Sequence, residues 1–146
     1  MKEPLLISAC LLGAACRYDG QSRPLDAQTL EKLKERYALV PVCPEQLGGL
    51  PTPRPPAERR GGAVRTEAGT DVTEAYARGA AEARRLAALL GCEAALLKAR
   101  SPSCGSGEVY DGTFTGTLRP GDGVTAEALK AAGVAVYTEA DLDKLR

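Results

Sequence analysis

The sequence predicts an α/β domain in which helices cover both faces of an open, mainly parallel sheet. Patterns typical of strands and of helices alternate along the chain, which favours parallel strands joined by helices. The chain has 146 residues, which suits one domain over 1–146. Apolar residues make up 44% of the chain and charged residues 26%, so a folded domain is expected.

The first part of the chain contains two predicted strands and one predicted helix. Residues 5–9 form a short apolar run and predict a buried strand. Asp26 is suited to cap a helix over 27–37. A second strand is predicted over 38–42. Because proline lacks the N–H that a sheet ladder needs, Pro41 predicts that this strand is very short or lies at an edge.

The middle of the chain, residues 46–70, is rich in proline and glycine. This composition predicts a long irregular loop, and such loops are usually functional or disordered. If the loop is a lid, Arg54 and Glu58 could pair across it, although plain surface positions are the alternative. Asp71, with Glu74 three residues later, predicts the capped start of a helix.

The last part of the chain continues the alternation of helices and strands. The sequence Asp111-Gly112 lies between β-forming residues and predicts a small hairpin insertion near 108–116. Together these elements predict a three-layer, Rossmann-like open sheet. The remaining predicted elements are the end of the long helix at Gly91, a strand over 94–98, a helix from Thr125 to Ala132, a strand over 134–137 and a terminal helix opened by Thr138 with Asp141.

The charge balance and the composition exclude several classes of protein. The 19 basic and 19 acidic side chains cancel, which argues against binding nucleic acid or a membrane surface through bulk charge. No apolar run is long enough for a membrane span and no signal peptide is apparent, so a cytoplasmic protein is expected. The chain has no histidine, which excludes Ser-His-Asp and Cys-His catalysis.

The five cysteines carry the functional prediction. Cys10, Cys43 and Cys104 each follow a predicted strand, at its carboxyl end. Because the carboxyl ends of parallel strands share one edge of the sheet, where ligands bind, we expect these three thiols to converge. Cys16 lies on the same loop as Cys10 and could join them. Cys92 lies at the other end of its strand and is expected to be a buried structural thiol.

Three converging thiolates without histidine suit a soft metal, either zinc or an iron–sulfur cluster. A structural zinc ion would take Cys16 as its fourth ligand. A cluster held by only three cysteines would leave one iron open to a substrate. The spacing leaves a thiol site without metal equally open, including a redox sensor in which Cys10 and Cys16 form a reversible disulfide.

Several polar residues near these cysteines are candidates for chemistry or for ligand contact. Glu45 is the only carboxylate immediately beside a cysteine at this rim and, without histidine, is the best available general base. A solvated loop carboxylate is the alternative. Arg17 and Tyr18 could form a polar turn or line a pocket. Lys98 and Arg100 could hold an anionic ligand, although surface positions are the simpler expectation.

Short motifs that contain the strand-end cysteines run in order over nearly the whole chain. Small residues and glycines surround each cysteine, which lets a bulky cofactor approach the backbone. The motifs are Ser8-Ala9-Cys10-Leu11-Leu12-Gly13, Cys16-Arg17-Tyr18-Asp19-Gly20, Val42-Cys43-Pro44-Glu45, Gly48-Gly49-Leu50-Pro51-Thr52-Pro53-Arg54, Gly69-Thr70-Asp71-Val72-Thr73, Ser101-Pro102-Ser103-Cys104-Gly105 and Tyr110-Asp111-Gly112-Thr113-Phe114.

The motifs resemble those of a small bacterial family long catalogued as a domain of unknown function, whose characterised member is a thiouracil desulfurase. The resemblance implies an oxygen-sensitive [4Fe–4S] enzyme that converts 2-thiouracil to uracil and sulfide without net redox. It implies that Cys10, Cys43 and Cys104 hold the cluster, whose open iron polarises the thiocarbonyl group. Glu45 would activate the attacking water, and Ser101 would hydrogen-bond near the substrate. The other candidates for the substrate pocket are Cys16, Arg17, Tyr18 and Arg54.

Overall fold

The computed structural model describes residues 2–145, and its elements alternate much as the sequence predicts. The strands are β1 (Glu3–Ser8), β2 (Tyr37–Val42), β3 (Ala57–Arg60), β4 (Ala63–Thr66), β5 (Ala94–Leu97), β6 (Glu108–Tyr110), β7 (Leu118–Pro120) and β8 (Ala135–Thr138). The α-helices are α1 (Ala27–Arg36), α2 (Pro44–Leu47), α3 (Thr73–Leu90) and α4 (Val124–Ala131). Short 3₁₀ helices cover Ala9–Leu12 and Glu139–Lys144.

The centre of the fold is a parallel sheet with the strand order β2-β1-β5-β8. Successive side chains of a strand point to opposite faces, and β1 is buried on both. Leu6 packs with residues of α3 and α4 on one face, whereas Leu5 and Ile7 pack with α1 and the two 3₁₀ helices on the other. The predicted three-layer, mainly parallel α/β fold is therefore confirmed.

The edge strand β2 shows how local sequence sets topology. Its residues pair with β1 in parallel register, with Ile7 opposite Pro41. Since β2 has β1 as its neighbour on one side only, the proline is tolerated at the edge, as predicted. No helix within residues 2–145 is long and apolar enough to cross a membrane.

The stretch 46–70 is more ordered than predicted. It includes the end of α2 and an antiparallel hairpin in which β3 pairs with β4. The turn of this hairpin is Gly61-Gly62, and Gly61 has a φ of +62° that favours glycine. Two glycines between β-forming residues are a hairpin signal, which the surrounding prolines obscured.

The predicted pairing of Arg54 with Glu58 is wrong. Arg54 forms its ion pair with Glu45 instead. The Glu58 carboxylate accepts hydrogen bonds from the backbone N–H groups of Gly112 and Phe114, at 2.9 Å and 3.1 Å. Glu58 therefore joins the β3–β4 hairpin to the loop between β6 and β7.

The hairpin near 108–116 is confirmed, but its second strand lies further along the chain. β6 pairs with β7, and residues 111–117 form the loop between them. The Asp111 carboxylate accepts hydrogen bonds from the backbone and the hydroxyl of Thr113. Asp111 and Gly112 belong to this local turn. The loop 111–117, and not a two-residue turn, therefore joins β6 to β7.

Two predicted helix caps are wrong. Val72 precedes α3, and the Asp71 side chain accepts from the Thr73 N–H without being the cap residue. Gly123 precedes α4, and Thr125 lies inside that helix with its hydroxyl 2.7 Å from the hydroxyl of Ser103. Asp71 thus binds the first residue of α3 from two positions before it, whereas the Thr125 side chain binds a residue of the loop that follows β5. The box formed by Thr138 and Asp141 is confirmed, although it opens a 3₁₀ helix.

Candidate active site

A cavity of about 500 Å³ lies at the carboxyl edge of the central sheet. The chain leaves β1 for β2 on one side and returns to β5 on the other, so the loops that follow β1 and β5 diverge. Ligands of open α/β sheets bind in the crevice at such a point. The cavity is lined by Cys10 after β1, Cys43 after β2 and Cys104 beyond β5, so the predicted convergence of these residues is present.

The short helix α2 presents two of the candidate residues. Cys43 immediately precedes α2 and Glu45 lies in its first turn. This helix packs against α3 with no space between the backbones, because a Cβ added at Gly79 would lie 1.9 Å from the carbonyl oxygen of Pro44. A Cβ at Gly48 would likewise lie 2.0 Å from the carbonyl oxygen of Ala75. The two glycines therefore set the position of Cys43 and Glu45.

The loop that carries Cys104 is held by its own side chains. The Ser101 hydroxyl accepts hydrogen bonds from the backbone N–H groups of Ser103 and Cys104, at 3.1 Å and 3.0 Å. The same loop packs tightly on the start of α4, since a Cβ at Gly123 would lie 2.4 Å from the carbonyl oxygen of Ser103. Ser101 therefore fixes the backbone at Cys104 and also lines the cavity.

The three strand-end thiols share a strongly desolvated environment. Burial raises the pKa of Cys10 to about 11 and that of Cys43 to about 12, and burial also raises the pKa of Cys104. The Glu45 carboxylate adds to this effect at Cys43 and Cys104, because a neighbouring negative charge disfavours a thiolate. Negative charge on Cys43 also raises the pKa of Cys10, and negative charge on Cys10 and Cys43 raises the pKa of Cys104. Three thiolates here need a compensating positive charge, which a metal centre supplies.

The cysteines that line the cavity are candidate ligands for a metal centre. Within residues 2–145, no three Cys, Asp or Glu side chains converge closely enough to hold one metal ion. A single zinc ion needs all its ligands around one point, whereas an iron–sulfur cluster distributes its thiolates over different irons. Three thiols without histidine are soft donors, which suit zinc or an iron–sulfur cluster.

Glu45 and Arg54 form a largely buried ion pair in the wall of the cavity. Arg54 Nη2 lies 3.1 Å from Glu45 Oε2, and the two side chains are 4% and 14% exposed for Arg54 and Glu45 respectively. Arg54 therefore lines the cavity, where the resemblance places it as a pocket candidate, and does not occupy the surface position that was the alternative. Burial acts against the charge of Arg54, but the Glu45 carboxylate outweighs it and raises the pKa of the guanidinium group.

The other predicted pocket residues also line the cavity. The carbonyl oxygen of Cys16 accepts hydrogen bonds from Arg54 Nη2 at 3.0 Å and from the Cys43 thiol at 3.6 Å. Arg17 lies 5.5 Å from the centre of the Tyr18 ring, and Tyr18 is 41% exposed at the rim. Arg17 is also paired with Asp19 at 3.4 Å.

Lys98 and Arg100 line the cavity with their charges already paired. Lys98 Nζ lies 2.7 Å from the carboxylate of Glu139, and Arg100 Nε lies 3.3 Å from that of Glu108. Each of the two cations therefore already has a carboxylate partner within the protein.

Sequence reasoning missed several residues of the cavity wall. Tyr76, on the buried side of α3, also lines the cavity. Burial raises the pKa of its hydroxyl, so this group remains protonated at neutral pH. A tyrosine among alanines on an apolar helix face was the available signal, since a buried hydroxyl usually has a polar neighbour. The two hairpins add Glu58, Tyr110 and Phe114.

Cys92 differs from the other cysteines, as predicted. It is buried before β5 with Leu6, Ala87 and Val134, and it does not line the cavity.

Comparisons with known proteins converge on one family. The model of the 2-thiouracil desulfurase family matches residues 5–141. The chain is 42% identical over 151 residues to the uncharacterized protein YbbK of Bacillus subtilis (strain 168), which covers 97% of this chain and 99% of YbbK. It is also similar to the solved structure of TudS, a [4Fe-4S]-dependent thiouracil desulfidase, with a TM-score of 0.93 and 48% identity over 99% of this chain and 95% of TudS.

Proposed function

Since the chain belongs to the 2-thiouracil desulfurase family, we propose that it is an iron–sulfur enzyme that hydrolyses the C=S bond of a thiolated pyrimidine. For 2-thiouracil, water supplies the oxygen of uracil and the sulfur leaves as hydrogen sulfide. Atoms and electrons balance without an external oxidant or reductant. The observation that carries the proposal is that three strand-end thiols and Glu45 line one cavity.

We assign Cys10, Cys43 and Cys104 as the protein ligands of a [4Fe–4S] cluster. Their burial disfavours free thiolates, and three thiols without histidine are the soft donors that an iron–sulfur cluster takes. Three thiolates leave one of four irons without a protein ligand. When bound, the cluster supplies a Lewis-acidic iron that polarises the thiocarbonyl group of the substrate.

Glu45 is the general base in this proposal. Its Oε2 atom is bound by Arg54, and its Oε1 atom receives a proton from the water that attacks the thiocarbonyl carbon. Glu45 passes this proton to the sulfur. The second proton of the water leaves the new hydroxyl group as the C=O bond of uracil forms and also passes to the sulfur, which departs as hydrogen sulfide. The chain has no histidine to take this role.

Ser101 is the hydrogen-bond donor to the substrate. Its oxygen already accepts from two backbone N–H groups, which polarises the hydroxyl and leaves its own proton to donate. A heteroatom of the pyrimidine ring that gains negative charge during the attack is a suitable acceptor.

The substrate is a small thiolated base, and the cavity wall around it combines residues from much of the chain. Cys16, Arg17 and Tyr18 form one side, and the two hairpins form the mouth. Because the lining extends from Ser8 to Gly116, we propose that residues 1–146 act as one domain. The free cysteines suit a reducing compartment, so we place the enzyme in the cytoplasm.

A comparison of two buried cysteines tests the proposal. Wild type, Cys104→Ala and Cys92→Ala are reconstituted anaerobically, and iron, acid-labile sulfide and conversion of 2-thiouracil are measured. We expect about four irons per chain and equal release of uracil and sulfide in wild type and Cys92→Ala. The iron and the conversion of 2-thiouracil are lost in Cys104→Ala, because Cys104 lines the cavity and Cys92 does not.

Conversion by an iron-free wild-type protein would contradict the cluster assignment. One tightly bound zinc per chain, with no iron after reconstitution, would contradict it as well. Equal loss of iron in Cys92→Ala and Cys104→Ala would show that the two thiols do not differ in function.

A further inference from the structure

Arg54 is an unusual residue for a loop, because its charged side chain is almost completely buried. The residue lies between α2 and β3, and its backbone N–H donates to the carbonyl oxygen of Tyr18 at 2.8 Å. A buried guanidinium group is retained only where several acceptors surround it. The acceptors of Arg54 therefore indicate what the residue does.

The guanidinium group joins three segments of the cavity wall. Nη2 donates to the Glu45 carboxylate at 3.1 Å and to the carbonyl oxygen of Cys16 at 3.0 Å. Nη1 donates to the carbonyl oxygen of Pro51 at 3.2 Å and to the Thr52 hydroxyl at 3.1 Å. These contacts are to protein groups, which argues against a primary role in substrate contact.

One of these acceptors also contacts a proposed cluster ligand. The Cys43 thiol donates to the same Cys16 carbonyl oxygen, at 3.6 Å. A Cys43 thiolate has no proton to donate, so ligand binding ends this contact and leaves the hydrogen bond from Arg54. Arg54 Nη2 and the Cys43 thiol share one acceptor, the carbonyl oxygen of Cys16. Arg54 is thus a positive charge beside both the proposed base and a proposed ligand.

The Nε atom of Arg54 adds an independent observation. It is buried and has no hydrogen-bond partner within the described residues 2–145. An unpaired buried N–H of a charged group is costly, and such a group calls for an explanation. The site therefore retains more donor capacity than the protein acceptors use.

We propose that Arg54 is a positioning residue for desulfuration, which fixes the Glu45 carboxylate through Oε2 and supplies the positive charge beside the Cys43 ligand. The assignment rests on the proposed function. It differs from the substrate-pocket role predicted from sequence, since Arg54 acts on the reaction through Glu45 and Cys43.

Three variants of the reconstituted holoenzyme test this role. Arg54→Met removes the charge, and Arg54→Lys keeps the charge but lacks the planar set of donors. Arg59→Met is the matched control. Arg59 also binds a carbonyl oxygen, that of Asp122, and a carboxylate, that of Glu127, but it does not line the cavity. The measurements are kcat and KM for 2-thiouracil, iron content, and the midpoint potential of the cluster from a titration followed by electron paramagnetic resonance.

We expect kcat of Arg54→Met to fall about 100-fold with little change in KM, since misplacement of a reacting group has an effect of this size. Its midpoint potential becomes more negative, because a positive charge near the cluster is lost. Arg54→Lys keeps the wild-type potential but has a reduced kcat. Arg59→Met matches wild type in both measurements.

A wild-type kcat or a wild-type midpoint potential in Arg54→Met would overturn the assignment. If Arg54→Met fails to fold or to bind iron, Arg54→Lys decides: reduced kcat at the wild-type potential supports the proposal, and wild-type kcat refutes it. The potential does not depend on turnover. A wild-type protein that holds a cluster but does not convert thiouracil therefore contradicts the proposed function, while the potentials still test Arg54.

Discussion

The carboxyl and the amino ends of the strands of the central sheet both have a cysteine within two residues of a glutamate, but the cavity lies at the carboxyl ends. At the carboxyl edge, Cys43 and Glu45 line the cavity, and Glu45 is paired with Arg54. At the amino edge, Cys92 packs among apolar side chains and Glu93 is exposed. A cysteine near a glutamate is thus common to both edges, whereas within residues 2–145 the cavity and the largely buried ion pair of Glu45 and Arg54 lie at the carboxyl edge.

The largest effect is expected from the two glutamates. Glu45→Gln keeps the size of the side chain but removes the proposed base, so kcat for 2-thiouracil should fall about 10²- to 10⁴-fold. Glu93→Gln, at the opposite edge, should retain wild-type kcat. Steady-state kinetics on protein with equal iron content measure both values. Equal kcat in Glu45→Gln and wild type would remove the functional difference between the edges.

A smaller effect is expected at the loop that follows β5. Ser101→Ala removes the proposed donor to the substrate and should lower kcat about 100-fold. Ser106→Ala is the control on the same loop, since Ser106 does not line the cavity. If Ser101→Ala loses iron but retains kcat per cluster, its hydroxyl only supports the backbone at Cys104.

The smallest effect is expected where α2 packs on α3. Gly79→Ala places a Cβ against the carbonyl oxygen of Pro44, so we expect the free energy of unfolding to fall by roughly 1–3 kcal/mol. Without this contact, alanine would stabilise a helix by about 1 kcal/mol relative to glycine. The exposed control Ala77→Gly measures this difference as a loss of stability. Urea unfolding of both variants gives the two values. If Gly79→Ala were more stable than wild type, α2 and α3 could move apart without lowering the free energy of unfolding.

The features that follow from local pattern were predictable from the sequence. Apolar runs identified the strands of the central sheet, and Pro41 identified its edge. Because parallel strands end at one edge, the position of Cys10, Cys43 and Cys104 in a shared cavity followed from those strands alone. Their role as ligands rests on the family and stays a proposal.

The features that depend on contacts between distant segments were not predictable. Arg54 lies in a segment rich in proline, where a surface arginine is the ordinary expectation. Its burial depends on acceptors from Cys16 and Glu45, which only the folded chain brings together. Likewise, Thr125 has a typical capping sequence but binds Ser103, 22 residues earlier in the chain. Propensity carries no information on such partners.

The positions of the three strand-end cysteines along the chain also determine when, relative to synthesis of the chain, all three thiols are in place. They follow different strands, and the loop of Cys104 rests on Gly123 at the start of α4. A nascent chain that has not reached α4 lacks the support that holds its third thiol. Iron and sulfide delivery is therefore expected only after synthesis of the chain has passed α4, when the support of the third thiol is complete.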